Sequence, residues 1–134
     1  MITNKKIIKV KRYELRKTVF RFREDGIVEI IFKKNQTIDL DDFYEGIELI
    51  RKVGNGKPFL YLYNPEENSD ITPELRKFAS SAKANKYTIA DAIVVNRLSQ
   101  KILANFYLKF HKPVKPTAVF FNKKEAIKWL LTHK

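Results

Sequence analysis

The chain has no cysteine, and only two of its 134 residues are histidine. The first absence excludes a disulfide framework, a cysteine-based zinc site and a cysteine nucleophile. The second leaves a metal centre little to draw on, because such a site needs several histidine, cysteine or carboxylate ligands converging. His111 stands at an expected helix end and His133 one residue from the last. Both read as ordinary surface histidines, and no metal site or cofactor is expected. There are four glycines. "GNGKP" at 54–58 has neither the spacing nor the Ser or Thr of a phosphate-binding loop. No G-x-S-x-G nucleophile elbow occurs, so no catalytic residue is nominated. No apolar run reaches the roughly 20 residues that span a bilayer. "MITNKKIIKVKR" has no long apolar stretch of the signal-peptide kind. A cytoplasmic, non-enzymatic protein without a membrane span is the expectation.

What is present is an ordinary globular composition, 44% hydrophobic and 31% charged, that suits one domain over residues 1–134. Lys and Arg total 27 against 15 Asp and Glu, a net charge of +12. The excess sits at the two ends: residues 1–34 and 97–134 are strongly basic, whereas residues 35–96 are mildly acidic. That pattern permits an anionic partner, head-to-tail contact between copies, or a lysine-rich surface that serves solubility alone.

Along the chain, residues 1–16 read as an edge strand or extended arm, with lysines that would guard an open sheet edge. "TVFRFR" and "IVEIIFK", joined by Glu24-Asp25-Gly26, read as a β-hairpin. In the first strand Val19, Arg21 and Arg23 face one side and Phe20 and Phe22 the other. Asp39 caps a helix with Phe43, Gly46, Ile47, Ile50 and Val53 inward, and Glu48 is placed to pair with Lys52. "FLYLYN" is a short interior strand. Thr72 and Pro73 open a second helix with Leu75, Phe78, Ala79 and Ala82 inward. "TIADAIVVN" is the most strand-like run of the chain, and its one odd residue, Asp91, reads as an edge or surface position, with a functional carboxylate near a sheet end as the alternative. A helix is expected over about Arg97 to Phe110, with Leu98, Ile102, Leu103, Phe106 and Phe110 inward. Pro113 and Pro116 break it. "TAVFF" is the last strand, and Asn122 to Glu125 caps a final helix carrying Ala126, Ile127, Leu130 and Leu131. The order β-β-α-β-α-β-α-β-α gives an α/β fold: a mixed sheet of about five strands, with an N-terminal antiparallel hairpin and four helices.

The phrases "ADAIVVN", "ILANFYLKFHKPVKPTAVFFN" and "KEAIKWL", with "LRKFASSAKANKY" before them, resemble the C-terminal half of small bacterial SpoIIAA-like (STAS/SEC14-like) domains of undefined function. The resemblance covers roughly residues 18–133. It implies a non-catalytic regulatory or interaction module that binds a protein partner, a second copy of itself, or a small apolar or anionic ligand. The acidic side of the Asp39 helix (Asp41, Asp42, Glu45) and the Tyr107–Leu108 pair are the candidate contact surfaces. The phosphoswitch serine of the best-known relatives lies in an Asp-Ser-Ser-Gly-type motif after an interior strand. Here that stretch is "YNPEENSDITPEL", without the motif, and Ser69 and Thr72 are the nearest hydroxyls. Glu66, Glu67 and Asp70 would repel a phosphate placed on either. A second reading is single-stranded nucleic-acid binding through the basic hairpin, with Lys9, Lys11, Arg21 and Arg23 as its surface. Alternation argues against it, since it puts the hairpin's rings and its arginines on opposite faces.

Overall fold

The computed structural model describes residues 7–96, 104 and 112–134. Its main sheet holds six strands: β1 (Val10–Glu14), β2 (Thr18–Arg23), β3 (Ile27–Phe32), β5 (Phe59–Pro65), β7 (Thr88–Val94) and β8 (Thr117–Phe120), in that spatial order. β1, β2 and β3 form an antiparallel meander, and β3, β5, β7 and β8 run parallel. Two residues from each of two loops, β4 (Thr37–Ile38) and β6 (Asp70–Ile71), make a separate parallel pair. The described helices are α1 (Leu40–Gly54), α2 (Pro73–Ala79) and α3 (Lys123–Leu131).

The α/β class and mixed sheet agree with the sequence, but the strand count does not. The sheet has six strands rather than five, because the arm before the hairpin pairs with β2 along Val10–Glu14. Three helices are described rather than four. The helix expected over 97–110 lies outside the described residues, apart from Ala104, which is helical.

Local chemistry accounts for the elements. Gly26 takes φ +90 in the hairpin turn and donates to the Arg23 carbonyl. The Asp39 side chain accepts from the Asp42 amide, and the Asp42 carboxylate accepts from the Asp39 amide, which closes a reciprocal cap on α1. At the other end Asn55 takes the left-handed conformation (φ 52), and Gly56 follows at φ +81. Glu48 pairs with Arg51 rather than Lys52. In α2, Thr72 caps and Pro73 takes the first helical position, but the helix ends at Ala79, so Ala82 is exposed instead of inward.

Strand alternation divides the core into two layers. On one face Ile27, Leu60, Leu62, Ala90, Ala92 and Val94 meet Ala126 and Leu130 of α3. The two alanines of β7 let that helix approach closely. On the other face Phe20, Phe22, Val28, Ile30 and Tyr61 meet Ile50 of α1. Gly46 sets the approach of α1, since a Cβ there would stand 2.8 Å from the Phe20 ring.

Candidate functional site

On the α1 and α2 side of the sheet the described residues line two cavities. A cavity of about 260 Å³ lies between β5, β7, β8 and α2, floored by Tyr63, Ile93 and Val95 and walled by Leu75, Ala79 and Ala104. A smaller void of about 60 Å³ adjoins it beneath α1, sharing Phe32, Phe43, Tyr63, Leu75 and Ala84. The walls are mostly aliphatic and aromatic. Ser69, Asp70, Arg76 and Pro113 also line the larger cavity.

Among the described residues one buried carboxyl, that of Asp91, is built into its wall. In the parallel register Tyr61, Asp91 and Thr117 stand side by side on β5, β7 and β8. Asp91 and Thr117 line the cavity, and Tyr61 the adjoining void. The neighbours of Asp91 send their donors elsewhere. The Tyr61 hydroxyl donates to the Tyr87 carbonyl at 2.7 Å, and the Thr117 hydroxyl to the Lys115 carbonyl at 2.9 Å. The Asn85 amide donates to the Ala79 and Ser81 carbonyls at 2.8 and 2.7 Å, which fastens the turn after α2. Asp91 Oδ1 is left with no hydrogen-bond partner among the described residues. The residue is 9% exposed, and burial pushes its carboxyl up to about 7. Burial and the nearby Asp91 carboxyl also push the Tyr61 phenol up. The edge or surface reading of Asp91 is therefore corrected. β7 is paired on both sides, and residue 91 points inward because position parity sets it on the same face as Ile93.

The opposite face carries a second buried carboxyl that sequence reasoning missed. Glu29 of β3 accepts from Arg21 at 2.8 Å, from Asn64 at 3.0 Å and from Lys123 at 3.0 Å. Burial pushes this carboxyl up, but the bonds from Asn64 and Lys123 and the two nearby cations more than offset it. Glu29 stays below the usual carboxylate range. Half of this signal was readable, since the Gly26 turn sets Arg21 opposite Glu29.

The sequence-nominated residues fall into separate places. Asp41 and Glu45 are exposed on α1. Asp42 is drawn into the helix cap and pairs with Lys17 at 2.8 Å. Burial pushes Asp42 up, yet the bonds from the Asp39 amide and Lys17 hold it below its ordinary value. Tyr107 and Leu108 lie outside the described residues. The Ser69 hydroxyl donates to the Glu66 carbonyl at 2.7 Å, and Thr72 Oγ1 accepts from the Leu75 amide at 3.2 Å. Lys9 and Lys11 are exposed, whereas Arg21 and Arg23 are paired with Glu29 and Asp25. Phe20 and Phe22 are buried on the face away from those arginines. Among the described residues no cluster of His, Cys, Asp and Glu is placed to hold a metal ion, and no helix is long and apolar enough to cross a membrane.

Comparison with known proteins reaches the fold and stops there. Residues 20–134 match the model of a family described as a domain of unknown function, DUF7793. No curated protein matches the chain. Among solved structures the chain is similar to an uncharacterized protein of the DUF3478 family with a SpoIIAA-like fold from Shewanella loihica PV-4. The two are 13% identical over 97% of this chain and 98% of that one, with a TM-score of 0.53. A protein of unknown function from Arthrobacter sp. FB24 is 17% identical over 83% of this chain and 96% of that one. Its TM-score of 0.29 is too low to carry an argument. The SpoIIAA-like resemblance read from the C-terminal phrases thus holds for the fold.

Proposed function

This chain belongs to the DUF7793 family, and on that premise we propose that it is a non-catalytic binding module that holds a small, largely apolar molecule between its sheet and its helices. The observation that carries the reading is the 260 Å³ cavity. Well-packed interiors leave few voids larger than a water molecule, and concave apolar sites with a few convergent polar groups are the usual form of ligand pockets. Among the described lining residues no nucleophile stands beside a base, and Asn85 spends its donors on backbone carbonyls. Of the ligands that the SpoIIAA-like resemblance implies, an apolar one suits these walls, and the buried Asp91 disfavours an anionic one.

The test is a fluorescence titration with N-phenyl-1-naphthylamine, a neutral apolar dye. Saturable binding of one dye per chain is expected. It should be lost in Ala79→Trp, whose side chain would fill the cavity from α2. Binding that never saturates, or that is unchanged in Ala79→Trp, would remove the support for this reading.

A further inference from the structure

Asp91 is a costly residue for the interior of a sheet. A valine at this position would continue the lining made by Ile93 and Val95 and would suit the strand better. An unpaired carboxyl in apolar surroundings instead costs free energy, and a buried polar atom without a partner calls for a reason. Here the surrounding donors turn away from it. Tyr61, Thr117 and Asn85 all donate to backbone carbonyls, and among the described residues Oδ1 is left unpartnered in the cavity wall. Among the described residues the charged and titratable groups set about it are few. β5 supplies Tyr61 and Tyr63, α2 supplies Arg76 and β6 supplies Asp70. The last two are bonded to each other at 3.4 Å, and β8 presents the neutral Thr117.

We propose that Asp91 is the polar anchor of the cavity and that the ligand is an apolar molecule ending in a protonated amine. The inference rests on the cavity-binding reading above and deepens it. An ionised carboxylate only accepts hydrogen bonds, so it is completed by a group that brings donors and a positive charge. Apolar walls exclude water and strengthen that pairing. An anionic head group would be repelled at the same place, and a hydroxyl would supply a single neutral bond. Because the amine selects the ionised carboxylate, and burial holds the Asp91 carboxyl near 7, amine affinity should rise with pH through that range.

Isothermal titration calorimetry with three probes sharing one body, 4-phenylbutylamine, 4-phenylbutanol and 4-phenylbutyrate, tests this. At about pH 8 the amine is expected to bind about ten-fold tighter than the alcohol, with the butyrate weakest. Asp91→Asn should remove the amine's advantage and change the alcohol's affinity by less than about two-fold, with the fold checked by circular dichroism. In the unaltered chain, amine affinity should fall about ten-fold between about pH 8 and pH 6 as Asp91 takes up its proton. Butyrate binding as tightly as the amine, or an amine advantage that survives Asp91→Asn, would overturn the assignment and leave the cavity reading standing. If none of the three probes binds, the cavity reading fails and this inference fails with it.

Discussion

Two carboxyls are buried in interior strands of one sheet, and they are in opposite states. Glu29 faces α3 and is met by a cation across the hairpin, a cation from a helix start and an amide from β5. Asp91 faces the cavity, and one of its oxygens is met by nothing among the described residues. Burial pushes both upward. Only at Glu29 do partners reverse the direction. The environment outside the strand therefore decides the state of a buried carboxyl. Glu29 is enclosed by its own partners, and Asp91 lines the cavity.

The largest effect expected from this contrast is at Asp91. Its folded-state value, about 7, lies above the ordinary 3.8. Below the ordinary value both folded and unfolded chains hold the proton, and the shift costs nothing. As pH rises, the unfolded chain ionises first, so stability is lost until the folded carboxyl ionises as well. Integrated over that window the loss is roughly 4 kcal/mol. Asp91→Asn, which cannot ionise, should remove that slope and be the more stable chain at about pH 8. Urea titrations across the pH range measure it. Parallel stability profiles for the two chains would mean that Asp91 ionises in the fold at no cost.

Glu29→Gln should work in the other direction, lowering stability by about 3 kcal/mol at neutral pH. It removes the negative charge shared by Arg21 and Lys123 and sets an amide N–H where Asn64 or a cation now donates, which leaves part of the network unpaired. The figure is kept at the low end of buried-pair losses because both cations are more than a third exposed and can turn to water. The pH sign is opposite to that of Asp91. Glu29 lies below its ordinary 4.5, so its contribution is present above that value and is lost as pH falls through the folded one. Acid-unfolding midpoints of the two chains measure this. An unchanged acid limb in Glu29→Gln would show the network to be decorative.

How far the sequence exposes these two sites depends on how local their causes are. The hairpin, the Asp39 and Thr72 caps and the strand–helix alternation were legible, because each rests on residues within one or two turns of one another. Arg21 facing Glu29 was legible in principle from the Gly26 turn. Lys123, 94 residues away, was not, because nothing in either segment specifies the other. Asp91 stood out as an odd letter in "TIADAIVV", but its burial depends on β8 pairing along the far side of β7. The cavity was not legible at all. It is a space left between an alanine-containing α2 and the sheet, and space has no residue of its own.

The smallest effect tests whether the Glu29 site is a network or a single bond. Lys123 is the first residue of α3, near the positive end of that helix, where a cation is unfavourable. Its pairing with Glu29 is what offsets the placement. Lys123→Met removes the pairing and relieves the misplaced charge together, and Glu29 keeps Arg21 and Asn64. The net loss should be about 1 kcal/mol, well below that of Glu29→Gln, in the same urea titration. If Lys123→Met costs as much as Glu29→Gln, then Arg21 and Asn64 contribute nothing. Glu29 and Asp91 would then differ by one cation, and a cationic ligand at Asp91 would reproduce in the cavity what Lys123 does on the opposite face.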